Sequence, residues 1–339
     1  MESKTGTILY AKNEHVRRPQ ASTTKIMTAI LALERGELDS IVTVSKRAAG
    51  VEGSSLWLRE GEKLKLDDLL RGIMLRSAND GCVALAEHIA GSVEAFVDMM
   101  NIKARKLGAW NTHFVNPHGL HHPNHYSSAF DLALMARYGL KYPKFADIVR
   151  RREDTIELTT KERKERLQLS NTNLLLWSFE GADGVKTGTT SAAGYCLVAS
   201  ATREGRQLIA VVLHSDSRWS DTARLLEYGF QEFSVVSVAK KGTPFIKTNV
   251  ERGMRPEVAL VPEKDVDVIL RKKHSHLLEE KVFLERRPVA PIRKNEVLGR
   301  LAVFFDKDEI ASADLLAEEA VPRRTWLRVM LERRGRSRN

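Results

Sequence analysis

Cysteine is scarce in this sequence, and long apolar runs are missing. Two cysteines among 339 residues are too few for a scaffold built on disulfides. Cys82 and Cys196 both lie in apolar stretches, which favours packed thiols, although a bridge between them stays an open alternative. No stretch approaches the roughly 20 apolar residues of a membrane span, and no internal repeat is visible. The sequence therefore excludes a disulfide scaffold and a repeat array, and it predicts no membrane-spanning helix.

Acidic residues are scarce near the end of the chain. Residues 321–339 contain seven arginines and one glutamate, so they carry +6 of the net charge of +10. The other residues then carry only +4, which indicates a basic tail rather than a generally basic protein. We therefore predict no nucleic-acid partner.

The length and the changing residue pattern predict two domains and a tail. Residues 1–233 alternate helical and strand patterns, with a short strand at GTILY, a buried helix over residues 22–35 and a hairpin from GYCLVASA to LIAVVLH. Residues 234–320 are short alternating runs separated by Gly and Pro, which is typical of an all-β domain. Residues 321–339 form the basic tail.

The helix over residues 22–35 begins with an unusual pair. ASTTKIMTAIL is apolar on nearly every side, which predicts burial, yet Ser22 and Lys25 lie one turn apart on it. Burial lowers the pKa of a lysine, and a neutral amine can remove the proton of a neighbouring hydroxyl. Ser22 is therefore a candidate nucleophile and Lys25 its candidate base. A second Ser-x-x-Lys, from Ser237 to Lys240, has no buried helix behind it and is predicted to lie at the surface.

Two further motifs have both a structural and a functional interpretation. RSANDG, residues 76–81, is either a capping turn or a loop that presents Ser77 and Asn79 to a pocket. GVKTGT, residues 184–189, is either a turn or an edge strand whose N–H groups and Lys186 meet an anionic substrate. An earlier Lys-Thr-Gly, residues 4–6, is predicted to make an N-terminal hairpin turn.

Ser-x-x-Lys, Ser-x-Asn and Lys-Thr-Gly in this order are associated with penicillin-binding proteins and β-lactamases. Together with FVNPHGL, NTNLLLW and LLEYGF, they make the chain resemble the low-molecular-mass penicillin-binding proteins that are serine D-Ala-D-Ala carboxypeptidases. The resemblance is close over residues 3–233 and looser through APIRKNEVLGRL. It implies an α/β transpeptidase-like (β-lactamase/penicillin-binding) catalytic domain and a smaller all-β C-terminal domain. Ser22 would lie on a central helix between an all-helical part and a five-stranded sheet.

The same resemblance implies roles for individual residues. Ser22 would be acylated, Lys25 would be its base, and Ser77 would relay protons toward the leaving amine. Asn79 would hold the substrate's amide carbonyl, and the backbone N–H groups of Ser22 and Thr189 would form the oxyanion hole. The implied substrate-binding residues are Asn79, Lys186, Thr187, Gly188, Thr189 and, on a looser local match, Arg218.

The activity implied is removal of the last D-alanine from peptidoglycan pentapeptide through an acyl-enzyme, with β-lactam antibiotics acylating the same serine. Alternatives are a β-lactamase, a transpeptidase or a non-catalytic wall-binding protein, although no glutamate motif of a class A β-lactamase follows Asn79. No cofactor is implied. Five histidines between His113 and His125 lie close together in a loop-like region, but the family needs no metal, and we predict no metal site.

The resemblance also predicts where the protein acts. Members of the family work outside the cytoplasm and often hold to the outer membrane face by a C-terminal amphipathic helix. Residues 321–339 place Trp326, Val329 and Met330 at helical spacing among arginines, which predicts docking on an anionic membrane surface. The first residues, MESKTGTILY, show no signal peptide, so we expect an incomplete or processed N-terminus.

Overall fold

The computed structural model describes residues 1–159, 164–284 and 287–325. They belong to two compact units, Met1–Gln231 and the residues from Glu232 onward. The described α-helices are α1 (Lys25–Arg35), α2 (Lys46–Ala49), α3 (Leu66–Arg76), α4 (Asn79–Ala90), α5 (Val93–Lys106), α6 (Ala129–Gly139), α7 (Pro143–Arg150), α8 (Leu175–Ser178) and α9 (Arg218–Glu232). The described strands are β1 (Ile41–Thr43), β2 (Lys63–Lys65), β3 (Glu153–Thr159), β4 (Lys164–Ser170), β5 (Ala182–Thr190), β6 (Gly194–Arg203), β7 (Arg206–Val212), β8 (Phe233–Ala239), β9 (Ile246–Asn249), β10 (Glu257–Pro262), β11 (Val266–Arg271), β12 (Leu278–Leu284), β13 (Val297–Phe305) and β14 (Asp308–Ala317).

The first unit packs its helices around α1. Ile26, Met27 and Ile30 of that helix are fully buried in a core shared with α3, α4 and α5. A 3-10 turn over Ala21–Thr24 precedes the helix, which ends where Gly36 becomes extended. A Cβ at Gly36 would lie 2.8 Å from the Ala32 carbonyl oxygen, so a side chain here would force the backbone at the end of α1 to shift. The structure thus has the buried helix that the apolar pattern predicts.

The helical pattern of residues 66–90 breaks at Ser77, as predicted. Ser77 ends α3 in the left-handed region with φ 68°, and Ala78 is extended before α4 begins at Asn79. A serine in this region is uncommon and has to be held by its surroundings. The first N–H of α4, that of Asn79, donates to the Ser54 carbonyl at 2.7 Å. The break places the side chains of Ser77 and Asn79 at the junction of two helices.

Strands β5, β6 and β7 form an antiparallel sheet in that order, with the predicted hairpin between β6 and β7. Its two faces are both covered. Val198 of β6 packs into the helical core, while Leu197 and Ala199 pack with Leu226 of α9. Because successive residues of a strand point to opposite faces, one strand serves two cores.

The expectation of five strands in this sheet is wrong for the described residues, which supply three. GTILY forms no strand. Instead, the Met1 carbonyl accepts from Ile209 N–H at 2.8 Å, and Ser3 N–H donates to the Gln207 carbonyl at 2.9 Å. The chain then turns at Gly6, where φ is +81°, so it leaves the sheet edge too early to add a strand. The predicted Lys-Thr-Gly turn is therefore present, and the strand after it is not.

A second small sheet of the first unit was not predicted. It has the order β1-β2-β3-β4, and α7 was also missed. Arg71 of α3 lies 2.9 Å from Asp154 of β3 and also pairs with Asp68, so charged side chains help to fix this sheet to the helices.

The second unit is all-β, as predicted. Its described strands form one antiparallel sheet in the order β12-β13-β14-β10-β9 and a pair, β11-β8. Leu260, Leu301 and Leu315 are fully buried between them. The second Ser-x-x-Lys lies on this unit's surface, where Ser237 is exposed on β8 and Nζ of Lys240 is 3.6 Å from Asp267.

The predicted boundary after residue 320 needs correction. Val321 is fully buried and exchanges backbone hydrogen bonds with Ile292, and Arg324 N–H donates to the Arg252 carbonyl at 2.7 Å. The start of the predicted tail thus belongs to the β unit because its backbone is paired there. The rest of that tail, residues 326–339, lies outside the described residues. Over the part of the chain that is described, no helix has the length and apolarity needed to cross a membrane.

Candidate active site

Lys25 is at the centre of the predicted site. Its side chain is fully buried, and its Nζ lies 2.9 Å from Ser22 Oγ, 2.7 Å from Asn79 Oδ1 and 2.8 Å from the His118 carbonyl oxygen. Three acceptors match the three N–H bonds of an ammonium group. A neutral amine has only two N–H bonds, so its lone pair can accept the proton of the Ser22 hydroxyl. The geometry therefore suits both protonation states of Lys25.

Burial sets the charge of this lysine. It lowers the pKa of Lys25 from 10.5 to about 8, and the negative charge of nearby Asp80 opposes the shift. At pH 7, a pKa of about 8 leaves roughly one amine in ten neutral. A buried amine with a populated neutral form, 2.9 Å from a hydroxyl, has the geometry of a general base for that hydroxyl.

The carbonyl of His118 was not predicted as a site group. It lies in the loop FVNPHGL, where the Asn116 side chain accepts from Gly119 N–H at 2.7 Å and donates to the Leu120 carbonyl at 2.9 Å. The hydroxyl of Thr28, on α1, donates to the Pro117 carbonyl at 2.6 Å. These bonds fix the loop against α1. The only sequence signal for this group was the FVNPHGL motif, because every residue type has a backbone carbonyl.

Gly119 allows this loop to come close. Its φ is +96°, and a Cβ there would lie only 1.9 Å from the Ala21 carbonyl oxygen. Ala21 itself has a positive φ of 48°. The backbone before Ser22 is thus held in an uncommon conformation by a loop that only glycine permits.

Asn79 joins the helix break to Lys25. Its Oδ1 accepts from Lys25, and its Nδ2 donates to the Glu52 carbonyl at 2.7 Å. Both ends of the amide are therefore fixed, and the oxygen faces the lysine. Ser77, two residues earlier, is 5% exposed at the same break. The structure thus brings Ser22, Lys25 and Asn79 into one hydrogen-bonded group, and Ser77 lies two residues before Asn79 in the chain.

Lys186 of β5 is the second buried lysine. It is 1% exposed, and its Nζ has no hydrogen-bond partner among the described residues. Burial holds the pKa of Lys186 well below its usual range, and the positive charge of Lys25 lowers it further. An unpaired buried ammonium is costly. Burial therefore disfavours the charged form of Lys186, and an approaching anion would favour it.

The end of β5 gathers the other predicted binding residues. The hydroxyls of Thr187 and Thr172 are 2.7 Å apart, and Thr172 is a partner that the sequence did not single out. Arg218, at the start of α9, donates to Thr189 Oγ1 at 2.8 Å and to the Gly188 carbonyl at 3.2 Å. The loosely matched arginine thus lies beside the Lys-Thr-Gly strand, and it adds positive charge there.

Gly188 brings β5 against the predicted nucleophile. A Cβ at this position would lie 3.0 Å from Ser22 N and 2.8 Å from the Gln20 carbonyl oxygen. Only glycine lets the strand approach so closely. The backbone of β5 therefore passes directly beside the Ser22 N–H, where the predicted oxyanion hole would form.

The two cysteines and His125 are buried and have structural roles. Cys82 and Cys196 are free, buried thiols, which answers the open question of a bridge. Burial lowers the pKa of His125 to about 3, and its two ring nitrogens lie 2.8 Å from Thr24 Oγ1 and 3.0 Å from Val115 N. Within the described ranges, no three His, Cys, Asp or Glu side chains are grouped so that they could hold a metal ion.

Both units of the chain match families of known proteins. Residues 1–217 match the family described as D-alanyl-D-alanine carboxypeptidase, and residues 233–323 match the C-terminal domain of penicillin-binding protein 5. The D-alanyl-D-alanine carboxypeptidase DacF of Bacillus subtilis strain 168 is 35% identical over 328 residues, which cover 94% of this chain and 84% of that protein.

Solved structures are also similar, one over nearly the whole chain and another over two thirds of it. The crystal structure of penicillin binding protein 5 from Haemophilus influenzae has a TM-score of 0.81 and 33% identity, and it covers 95% of this chain and 96% of that one. The Streptomyces K15 DD-transpeptidase has a TM-score of 0.65 and 38% identity, and covers 68% of this chain and 94% of that one. These matches confirm the fold class and the class of enzyme predicted from the sequence. The chain belongs to the family of serine D-alanyl-D-alanine carboxypeptidases.

Proposed function

We propose that Ser22 carries out the family's reaction here, the removal of the last D-alanine from a peptidoglycan stem peptide that ends in D-Ala–D-Ala. The observation that carries this proposal is the fully buried Lys25, whose Nζ is 2.9 Å from Ser22 Oγ. β-Lactam antibiotics, which mimic the D-Ala–D-Ala dipeptide, would acylate the same oxygen. The place of action would be outside the cytoplasm, where the peptidoglycan lies.

The first step would acylate the enzyme. Neutral Lys25 takes the proton of the Ser22 hydroxyl while Oγ attacks the carbonyl carbon of the penultimate D-alanine. The N–H groups of Ser22 and Thr189 stabilise the oxyanion. When the intermediate collapses, the C–N bond breaks and the leaving amine receives a proton through Ser77. D-Alanine departs, and an ester to Ser22 remains.

The second step would regenerate the enzyme. Water adds to the ester carbonyl, Lys25 accepts the water's proton, and the Ser22 Oγ–acyl bond breaks. The shortened peptide leaves with a carboxylate, and Ser22 regains its proton. The buried position of Lys25 supports a role in both halves because the same low pKa serves each proton transfer.

Binding would depend on charge at the end of β5. The terminal carboxylate of the peptide meets Thr187 and Thr189, with Lys186 and Arg218 as the cations. Arg218 supports this placement because its guanidinium already contacts Thr189 Oγ1 at 2.8 Å. Asn79 would hold the amide carbonyl on the other side of the scissile bond.

Release of D-alanine tests the proposal. The substrate is an N-acetylated tripeptide that ends in D-Ala–D-Ala, and free D-alanine is measured over time. We expect release by the wild type and none by Ser22→Ala. Ser237→Ala removes the serine of the surface Ser-x-x-Lys and is the matched control, so it should retain full activity. Loss in Ser237→Ala, or retention in Ser22→Ala, contradicts the assignment.

Transpeptidation is a second candidate, and one comparison favours it: the similar Streptomyces K15 structure is described as a DD-transpeptidase. The two reactions share the acyl-enzyme and differ in whether water or an amine attacks it. With the tripeptide and a D-amino-acid acceptor supplied together, we expect mainly the hydrolysed product. A dominant transfer product would favour transpeptidation instead.

We also propose that residues 321–339 dock on an anionic membrane surface, which the +6 charge of this segment supports. Val321 is buried in the β unit, so a truncation should leave it in place. A chain ending at Thr325 should sediment with anionic vesicles less than the full chain, and added salt should weaken the full chain's binding. Equal binding by the two chains would remove this proposal.

A further inference from the structure

Exposed Trp57 and half-buried Arg76 form a pair beside the predicted site. Trp57 is 65% exposed, and the guanidinium carbon of Arg76 lies 4.3 Å from the centroid of its ring. Arg76 directly precedes Ser77 in the chain. Within the described residues, Arg76 has no acidic partner. The pair thus combines an open aromatic face with a cation whose charge is not neutralised.

The backbone at Trp57 is held in an uncommon conformation. Its φ is +57°, in the left-handed region that large side chains rarely adopt. The carboxylate of Asp80 accepts from the N–H groups on either side, Leu56 at 3.1 Å and Leu58 at 3.0 Å. The side chains of Leu56 and Leu58 are both 3% exposed. The neighbours are therefore anchored inward while Trp57 is displayed outward, and strain that is held in this way points to a function.

The same loop is bonded to Asn79. Asn79 N–H donates to the Ser54 carbonyl, and its Nδ2 donates to the Glu52 carbonyl, both at 2.7 Å. Under the proposed function, Asn79 holds the amide on the acyl side of the scissile bond. The cations for the terminal carboxylate lie elsewhere, at the end of β5. Trp57 and Arg76 therefore belong to the acyl side of the substrate.

We propose that Trp57 and Arg76 form a subsite for the residue that precedes D-Ala–D-Ala, and that Arg76 selects a carboxylate on that residue's side chain. The ring of Trp57 covers the aliphatic part of the side chain. The planar guanidinium, held over the ring, presents its N–H groups to the carboxylate in a fixed fork. This inference rests on the proposed function and adds a substrate preference to it.

Two isosteric peptides test the preference: N-acetyl-Glu-D-Ala-D-Ala and N-acetyl-Gln-D-Ala-D-Ala. The wild type should have the higher kcat/KM for the glutamate peptide. Arg76→Gln should lower kcat/KM for that peptide on the order of five- to tenfold, mainly through KM, because it removes a charge-assisted hydrogen bond. The same substitution should leave kcat/KM for the glutamine peptide unchanged.

Two further variants separate this role from a structural one. Arg59→Gln removes an exposed arginine of the same loop that does not stack on Trp57, and it should keep the wild-type preference. Arg76→Lys keeps the charge but loses the planar fork, so it should retain only part of the preference.

The outcomes distinguish the two proposals. The subsite proposal is overturned if the wild type has the same kcat/KM for both peptides. It is also overturned if Arg76→Gln lowers kcat/KM equally for both. Acylation by benzylpenicillin, which lacks this side chain, should proceed at the wild-type rate in Arg76→Gln and so shows that the variant is folded. If the wild type neither releases D-alanine nor reacts with benzylpenicillin, the proposed function fails instead.

Discussion

The Oδ1 atom of Asn79 lies 2.7 Å from the Nζ atom of Lys25, so an amide of α4 and an amine of α1 share a buried hydrogen bond. An amide oxygen is neutral, and it can accept from the lysine in either protonation state. A carboxylate in the same place would stabilise the ammonium form strongly. The identity of residue 79 therefore helps to decide how much neutral Lys25 exists at neutral pH.

Asn79→Asp tests this relationship with almost no change in shape. The new carboxylate should raise the pKa of Lys25 and slow acylation by benzylpenicillin at pH 7 by about tenfold or more, since one pKa unit is a tenfold change in neutral amine. Raising the pH should recover part of the rate. The measurement is the acylation rate from pH 6 to 10. An unshifted pH profile would show that Asn79 does not tune Lys25.

The wild-type pH profile follows from the pKa of Lys25. The neutral form is the active base, and burial lowers the pKa to about 8. Below that value, the acylation rate should fall about tenfold for each pH unit, and above it the rate should level off. Lys25→Arg cannot supply a neutral base and should lose nearly all acylation at every pH. A rate that rises toward low pH would contradict the proposed base.

Much of the first unit could be predicted from its sequence, because the catalytic motifs depend on residue type. The buried helix after Ser22 and the break at Ser77 both follow from local patterns. The His118 carbonyl could not be predicted, since any residue offers the same backbone oxygen. The alternating pattern of GTILY predicted a strand that is absent. Whether such a segment forms a strand is decided by pairing with distant residues, and that pairing cannot be read from the segment alone.

Binding of an anion should protonate Lys186. Its pKa is held well below the usual range by burial and by Lys25, and an approaching carboxylate would raise it. In Ser22→Ala, which cannot be acylated, benzylpenicillin binding at pH 7 should take up a number of protons greater than zero. Calorimetry in two buffers with different ionisation enthalpies measures that number.

Lys186→Met in the Ser22→Ala background is the control for proton uptake. It keeps a similar length but cannot be protonated, so its binding should take up no proton. Equal uptake in both proteins would place the proton on another group, and no uptake in either would show that the charge of Lys186 does not change.

Gly119 should contribute to stability because the absence of a side chain lets its loop approach Ala21. A Cβ there would lie 1.9 Å from the Ala21 carbonyl oxygen, so Gly119→Ala has to displace backbone. We expect the free energy of unfolding to fall by about 2–4 kcal/mol. Gly91 also has a positive φ, +77°, but nothing lies within 4 Å of its Cβ position. Gly91→Ala should therefore cost only about 1 kcal/mol. Urea unfolding measures both, and equal losses would mean that the contact with Ala21 relaxes freely.

The site of acylation shows whether Ser22 is the nucleophile. The protein is incubated with benzylpenicillin, digested, and mapped by mass spectrometry. We expect a single adduct on the peptide that contains Ser22, and none in Ser22→Ala. An adduct on the peptide that contains Ser237, or no adduct on the wild type, would show that Ser22 is not the nucleophile.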